Sequence, residues 1–276
     1  MATCILEREA DLPVPPRERS AFNFENVTRN SRFETTSGFC APKAMKTGTT
    51  ICGVVFKGGV VLGADTRATE GTIVADKNCE KIHYIAPNIY CCGAGTSADT
   101  ENVTSMVAST LALQRLTMGK QSRVLAAQTV LKRHLFRYQG HVSAALVLGG
   151  VDVNGPYLST VAPHGSTDRL PYVTMGSGSL AAMAVFEAEY KDDLTEKEAI
   201  ALVHKAISRG IFEDLGSGSN VDIRVVRKDG SEYLRGYDKP NERAFRKAKP
   251  YIYPPGSVVV LKETVKQLDS SAMQTD

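Results

Sequence analysis

Apolar positions along this chain fall into blocks of different period, and the blocks predict a succession of strands and helices. From residue 49 the run TTICGVVFKGGVVLGADTR is rich in Val and Ile and reads as two strands joined at a Gly58-Gly59 turn. Further strands are expected near residues 81–85 and 89–92. A helical period then takes over. Val103, Met106, Val107 and Leu111 share one face of a first helix, and Val124, Ala127, Leu131 and Leu135 one face of a second. The segment SAALVLGGVDVNGPYLSTV returns to strand character around Asn154-Gly155, a hairpin signal, and LPYVTMGSG adds another strand. Helices are expected at 179–190 and 195–210. The second opens with Thr195-x-x-Glu198, a capping-box pattern, and sets Ile200, Val203, Ile207 and Ile211 on one stripe. NVDIRVVRKDGSEYLRG closes the pattern with a hairpin at Asp229-Gly230.

Strands, two helices, strands, two helices, strands is the order of an α+β fold with antiparallel sheets, not of alternating βαβ units. Two sheets packed face to face, with helices over both outer faces, would bury every apolar stripe. Residues 1–48 differ from the rest: they are polar, hold Pro13, Pro15, Pro16 and Pro42, and show no sustained period, as expected of a flexible leader. From Lys239 the segment KPNERAFRKAKPYIYPP is basic, proline-bounded and aperiodic, as expected of an arm lying over another surface. There is no internal repeat.

Composition narrows the function classes. The 276 residues suffice for one large domain or two small ones, and a formal charge of +3 without a dense Lys/Arg block points away from nucleic acid. No apolar run approaches the roughly 18 residues needed to cross a bilayer. The N-terminus lacks the apolar core of a secretory signal, so the chain is expected to stay inside the cell. Of the six cysteines (Cys4, Cys40, Cys52, Cys79, Cys91, Cys92) none forms a C-x-x-C pair, and on a strand Cys91 and Cys92 point to opposite faces. Buried free thiols are expected, with no disulfide framework and no metal site. The run from Gly93 to Ala98 satisfies G-x-G-x-x-A, yet no acidic residue lies between Asn102 and Val151 to hold a ribose, so it is set aside as a nucleotide motif.

The segment M-K-T-G-T-T-I makes chemical sense as a processing site. A Thr hydroxyl is a poor nucleophile until a base takes its proton, and a free α-amino group on the same residue can do so. That amine exists only once the Gly48–Thr49 bond is cut. Glycine at residue 48 leaves the carbonyl open to attack by the Thr49 hydroxyl. Alone, such a Gly-Thr pair would also suit a Thr that merely starts a strand.

The wider pattern resembles the catalytic beta subunits of the proteasome core particle, members of the N-terminal nucleophile hydrolases. Six separated motifs carry the resemblance in order: TGTT at the start, GADTRAT at 63–69, Lys81, GAGTSAD at 93–99, MGSGS at 175–179 and DLGSGSN at 214–220. It implies a four-layer αββα sandwich of two antiparallel sheets flanked by helices. It also implies a leader, residues 1–48, removed on maturation; a catalytic domain, 49–238; and a C-terminal arm, 239–276, contacting a neighbouring subunit.

By the same resemblance Thr49 matches the nucleophile, with its amine as base, and Lys81 the cation beside it. Asp65 matches the carboxylate orienting that lysine, and the Gly95 N–H the oxyanion donor. Ser177, Asp214 and Ser217 match the group around the amine. Gly93, Glu101, Ala68 and Thr69 fall at substrate-binding positions. An acid at Glu101 over a deep pocket at Gly93 resembles the trypsin-like subunits, which cut after Lys or Arg. Taken singly, Asp65 and Lys81 would also suit an ordinary ion pair, the Gly-Ser runs plain turns, and Glu101 a solvated first-turn acid. The implied activity is a threonine endopeptidase without cofactor, inside stacked seven-membered rings of alpha and beta subunits. Unfolded polypeptides would be its substrates and regulatory caps its partners, in cytoplasm and nucleus. A structural ring subunit without activity, and a self-processing amidohydrolase for a small metabolite, are the alternatives; the first would ordinarily lose the Gly-Thr junction or the lysine.

Overall fold

The computed structural model describes residues 27, 28, 32, 47–242, 254–257 and 259–265. Period-2 burial starts at once in β1 (Thr50–Phe56): Cys52, Val54 and Phe56 enter one core and Ile51 another. Both faces of the strand are therefore covered. β2 (Gly59–Asp65) repeats the division, with Val61 on the first side and Val60, Leu62 and Ala64 on the second. These strands form a five-stranded antiparallel sheet in the order β10-β1-β2-β11-β12, completed by β10 (Tyr172–Gly176), β11 (Val221–Arg227) and β12 (Gly230–Asp238). The second sheet runs β5-β6-β7-β8-β9 and is also antiparallel. Its strands are β5 (Ile82–Ala86), β6 (Ile89–Gly95), β7 (Ala144–Asp152), β8 (Gly155–Val161) and β9 (Thr167–Arg169).

Four helices of the 47–242 region cover the outer faces. α1 (Ser97–Met118) and α2 (Val124–Arg137) bury Val103, Val107, Leu111, Ala127, Leu131 and Leu135 against the second sheet. α3 (Ser179–Glu189) and α4 (Glu196–Glu213) bury Phe186, Leu202, Val203 and Ile207 against the first. A third core, with Leu62, Tyr90, Val147 and Leu158, fills the space between the sheets. The layers are thus helix, sheet, sheet, helix, the sandwich the sequence implied.

Three local differences have physical causes. Each expected hairpin turns one residue earlier: the two-residue loops are 57–58, 153–154 and 228–229, and the glycine that ends each signal opens the returning strand. Asn154 keeps negative φ and its N–H donates to the Asp152 carboxylate at 2.8 Å, while Gly155 takes φ 100°. That is a turn with Asp first and Gly fourth, not a mirror-image Asn-Gly turn. The small hairpin β3 (Ala68–Glu70) and β4 (Ile73–Asp76) was not anticipated, because it stands off the sandwich with Ile73 and Val74 exposed and has no face to make periodic. α4 runs past Gly210, where the sequence suggested a stop. A Cβ there would lie 2.3 Å from the Thr50 hydroxyl, so this glycine serves a close approach.

Only residues 27, 28, 32, 47 and 48 of the expected leader are described. Of the arm, the described residues 239–242, 254–257 and 259–265 hold no helix or strand beyond β12, and Val259, Val260 and Leu261 are exposed.

The capping box is complete: the Thr195 hydroxyl accepts the Glu198 N–H, and the Glu198 carboxylate accepts the Thr195 N–H. Thr195→Ala should therefore cost about 1 kcal/mol. Leu131→Ala, at a fully buried site, should cost about 2–5 kcal/mol. Urea unfolding of the purified chain would measure both, and equal effects would contradict this division between surface cap and core.

Candidate active site

The strand registers bring the separated motifs to one end of the sandwich. Thr50 pairs with Gly176, Ile51 with Ala64, and Val221 with Asp65. The residues just outside the paired strands therefore meet there: Thr49 before β1, Lys81 before β5, Ser177 after β10, and the 214–220 loop between α4 and β11. Gly93 of β6 ties the start of β5 to this point, its N–H donating to the Lys81 carbonyl at 3.0 Å.

At the centre the Lys81 ammonium donates to Asp65 Oδ1 at 2.8 Å, to Thr49 Oγ1 at 3.0 Å and to the Gly48 carbonyl at 3.4 Å. The Thr49 hydroxyl in turn donates to the Gly48 carbonyl at 2.7 Å. Asp65 also accepts the N–H groups of Thr50 (2.9 Å), Arg67 (3.2 Å) and Gly218 (3.1 Å). Thr49, Asp65 and Lys81 are all buried. A cation and its carboxylate are thus fixed beside one hydroxyl, and that hydroxyl touches the peptide group preceding it.

A second polar cluster lies on the nitrogen side of Thr49. The Thr49 N–H donates to Ser177 Oγ at 3.0 Å, and Ser177 Oγ donates to Asp214 Oδ2 at 2.6 Å. Ser217 Oγ donates to the same carboxylate oxygen at 2.6 Å and lies 2.6 Å from Thr50 Oγ1. Burial pushes the Asp214 carboxyl upward, but the hydrogen bonds from Ser177, Ser217 and the Gly216 N–H, with the charge of Lys81, outweigh it and hold the group below its ordinary value.

Glycines allow the close approaches. A Cβ on Gly48 would fall 2.2 Å from Gly216 Cα, so the junction and the Ser177/Asp214 loop touch backbone to backbone. Gly95 has φ 120°, and a Cβ there would meet the Ser143 carbonyl at 2.2 Å. The Thr47 hydroxyl donates to the Gly95 carbonyl at 3.1 Å and the Gly48 N–H to Thr69 Oγ1 at 3.2 Å, so the chain ahead of Thr49 is held along β6 and β3.

Beside Thr49 opens a cleft walled by Thr47, Ala68, Cys79, Glu80, Lys81, His83, Gly93, Gly95, Ser97 and Thr100. Of the expected substrate positions, Gly93 and Ala68 belong to the wall. Thr69 does not; it holds Gly48. Glu101 also stands outside the wall, exposed one turn into α1, past the first turn where Asp99 is the acid. Burial lowers the His83 imidazole, and the charges of Glu101 and Glu80 oppose that. Sequence reading missed Thr47, Thr50, Gly216, Gly218, Cys79, Glu80 and His83. Only the doubled Thr and the Gly-Ser alternation marked the first four; nothing in the sequence marked the rest.

Among the described residues no three His, Cys, Asp or Glu side chains come together as a metal site. Cys52, Cys91 and Cys92 lie in three different cores, and burial pushes their thiols up. Cys4 and Cys40 are outside the described residues.

Ser177→Ala removes one of the bonds that depress Asp214, so that carboxyl should titrate at higher pH, read by NMR of the labelled side chain. Because the folded value is depressed, the carboxylate adds stability above the unfolded value of about 3.9, and that contribution is lost as pH falls through the folded value. In Ser177→Ala the loss should set in at higher pH; an unmoved titration would refute the assigned cause.

The family model described as "Proteasome subunit" matches residues 45–226. "Proteasome subunit beta type-7" of Dictyostelium discoideum is 63% identical over 258 residues, 94% of this chain and 96% of that one. "Proteasome subunit beta type-7-A" of Arabidopsis thaliana is 60% identical, with 95% of this chain and 94% of that one covered. "Proteasome subunit beta type-2" of Saccharomyces cerevisiae is 52% identical, covering 89% and 94%. The family match takes in every residue that meets around Thr49, and the chain belongs to the proteasome beta-subunit family.

Proposed function

We propose that this chain is the precursor of a threonine endopeptidase subunit of the proteasome core particle, which frees its own nucleophile and then cuts peptides after basic residues. The observation that carries this is the Thr49 hydroxyl, 3.0 Å from the Lys81 ammonium and 2.7 Å from the Gly48 carbonyl oxygen. In the first step Thr49 Oγ1 bonds to the Gly48 carbonyl carbon and the bond from that carbon to the Thr49 nitrogen breaks. The hydroxyl proton ends on the released amine. Water then hydrolyses the resulting ester, leaving a Gly48 carboxylate and a free Thr49. Residues 1–48 leave as the propeptide, 49–238 form the catalytic domain, and 239–276 form the arm.

Once freed, the amine has an ordinary value of about 7.7–8.0. The neighbouring Lys81 charge lowers it, so the amine can take the hydroxyl proton near neutral pH as the oxygen attacks a substrate carbonyl. Asp65 keeps Lys81 in place. Ser177, Asp214 and Ser217 hold the amine and pass its proton, consistent with the bond already made by the Thr49 N–H. The Gly95 N–H stabilises the oxyanion, a donor of a kind that contributes about 10²–10³ in rate.

The preference for Lys and Arg is supported by Glu80 in the cleft wall, with Gly93 leaving that wall free of a side chain. Glu101 adds negative charge nearby. Carboxylates facing a deep pocket favour a cation that would otherwise lose its hydration unpaired. The exposed Val259, Val260 and Leu261 suit contact with a neighbour. The partners are the other alpha and beta subunits in stacked seven-membered rings, regulatory caps and unfolded substrates, in cytoplasm and nucleus.

Thr49→Ala should leave residues 1–48 attached in assembled particles and abolish cleavage of Arg-ending peptides by this subunit. N-terminal sequencing and a fluorogenic peptide assay would check both, and a free residue 49 in that variant would sink the mechanism. Gly93→Ala should raise KM for Arg-ending peptides more than it lowers kcat. The reverse split would mean the pocket lies elsewhere.

A further inference from the structure

Lys81 lies at the end of an irregular stretch, residues 77–80, that no strand holds. Side chains from the far edge of the first sheet reach this stretch. The register of β11 and β12 shifts opposite Asp222: Val221 faces Asp238, and Ile223 faces Leu234. The surplus residues, Arg235, Gly236 and Tyr237, form a bulge, with Gly236 at φ 59°. Bulges beside active sites re-aim side chains. This one turns the Arg235 guanidinium toward residues 77–80, where Nη2 donates to the Asn78 carbonyl and Nη1 to the Cys79 carbonyl at 3.4 Å.

The guanidinium is itself held by a fully buried carboxylate. Arg235 Nη1 pairs with Asp222 Oδ2, which also accepts the Tyr233 hydroxyl at 3.2 Å, while Oδ1 accepts the Gly236 N–H at 2.8 Å. Strand neighbours of Asp222 are apolar and face α4, so an acid alternating to the other side is not required by the sheet. The fork geometry of arginine is what lets one side chain bind a carboxylate and two carbonyls together. From the opposite side, the Gly93 N–H fixes the Lys81 carbonyl. The approach to Lys81 is therefore gripped from both sheets.

We propose that Asp222 and Arg235 are positioning residues for the reaction: a clamp across the β11–β12 bulge that holds residues 78–79 and so sets the reach of Lys81 to Thr49. This rests on Lys81 acting on Thr49 as proposed above. The clamp does not touch the nucleophile, but Cys79 and Glu80 also wall the cleft, so its loss lowers turnover per site and weakens binding there as well. Thr66 also bonds to this stretch, through its hydroxyl to the Lys77 carbonyl at 2.8 Å and its carbonyl to the Cys79 N–H at 3.0 Å. The loosened Lys81 therefore remains nearby, and the loss of rate is partial.

The test uses assembled particles carrying Arg235→Met, Arg235→Lys or Lys81→Met, with sites counted as free Thr49 N-termini by mass spectrometry. The kcat for Arg-ending peptides per counted site should fall about tenfold or more in Arg235→Met, toward the 10²-fold that a 1 Å misplacement costs, and KM should rise as Glu80 shifts. A purely structural role would lower the number of sites and leave turnover per site unchanged; that result overturns the clamp. Arg235→Lys keeps the charge near Asp222 without the fork. It decides the matter if Arg235→Met chains do not enter particles or are not processed: native turnover per site in Arg235→Lys overturns the clamp, and a fall in kcat per counted site supports it. Arg227→Met, which removes a surface pair with Glu196 and Glu232 on the same hairpin, should behave as native. Lys81→Met separates the two claims. If it retains processing and turnover, the mechanism at Thr49 fails; if it is inert while Arg235→Met matches native, only the clamp fails.

Discussion

Lys81 has three protons to donate, and the fold supplies three acceptors: Asp65, the Thr49 hydroxyl and the Gly48 carbonyl. Asp65 accepts the ammonium and three backbone N–H groups, which uses the capacity of a carboxylate. Full occupancy is what permits this pair to sit buried between two sheets. An ion removed from water without such partners would lose several kcal/mol of hydration free energy with nothing to replace it. A consequence follows for Thr49. Its oxygen is not an optional neighbour of the ammonium but one of the groups that make burial of the charge tolerable, so the same bonds that stabilise the fold orient the hydroxyl.

That saturation depends on backbone, and backbone on glycine. Two of the three N–H groups on Asp65 come from residues 67 and 218, on loops separated by most of the domain. They arrive together because β2 and β11 are paired in register up to Asp65 and Val221. The 214–218 loop can then close over the junction only because Gly48 and Gly216 lack side chains. The inter-sheet core, the strand register and the site are in this sense one constraint. A shift of one residue in β11 would carry Gly218 away from Asp65 and turn Asp222 from its present side to the helix side.

Elements with a buried face were legible in the sequence because burial imposes a period. β1, β2, α2 and α4 show this, each carrying its apolar stripe into a core. The hairpin β3–β4 was not legible, since nothing covers it. The turns at 153–154 and 228–229 were misjudged by one residue because a Gly after Asn or Asp serves either a mirror-image turn or a turn that the glycine follows with positive φ, and the dipeptide does not distinguish them. At the site, Thr49, Asp65, Lys81, Ser177, Asp214 and Ser217 were named from motif resemblance, and the registers bring them together. Thr50, Gly216 and Gly218 act through backbone or through contacts distant in sequence, which no local pattern encodes. Glu101 shows the opposite limit: resemblance placed it in the pocket, whereas in this structure, with residues 47 and 48 along β6, it stands outside the wall.

The intact Gly48–Thr49 bond changes what each group near Thr49 can do. In the precursor the Thr49 nitrogen is an amide; it donates to Ser177 and has no basic lone pair. The hydroxyl proton is shared with the Gly48 carbonyl, a far weaker acceptor than an amine. Under the proposed mechanism the first cleavage therefore runs without the base that serves every later one, and its rate rests on proximity and on the nearby cation. With the bond intact, the depressed Asp214 carboxyl is ionised at neutral pH and accepts from Ser177 and Ser217. In the proposed cleavage the nitrogen would come to carry positive charge a short distance from Lys81, and their repulsion would favour the neutral amine that the proposed peptide cleavage needs. The proposed cut would thus convert a donor into a base within a set of hydrogen-bond acceptors that the folded chain already holds around it.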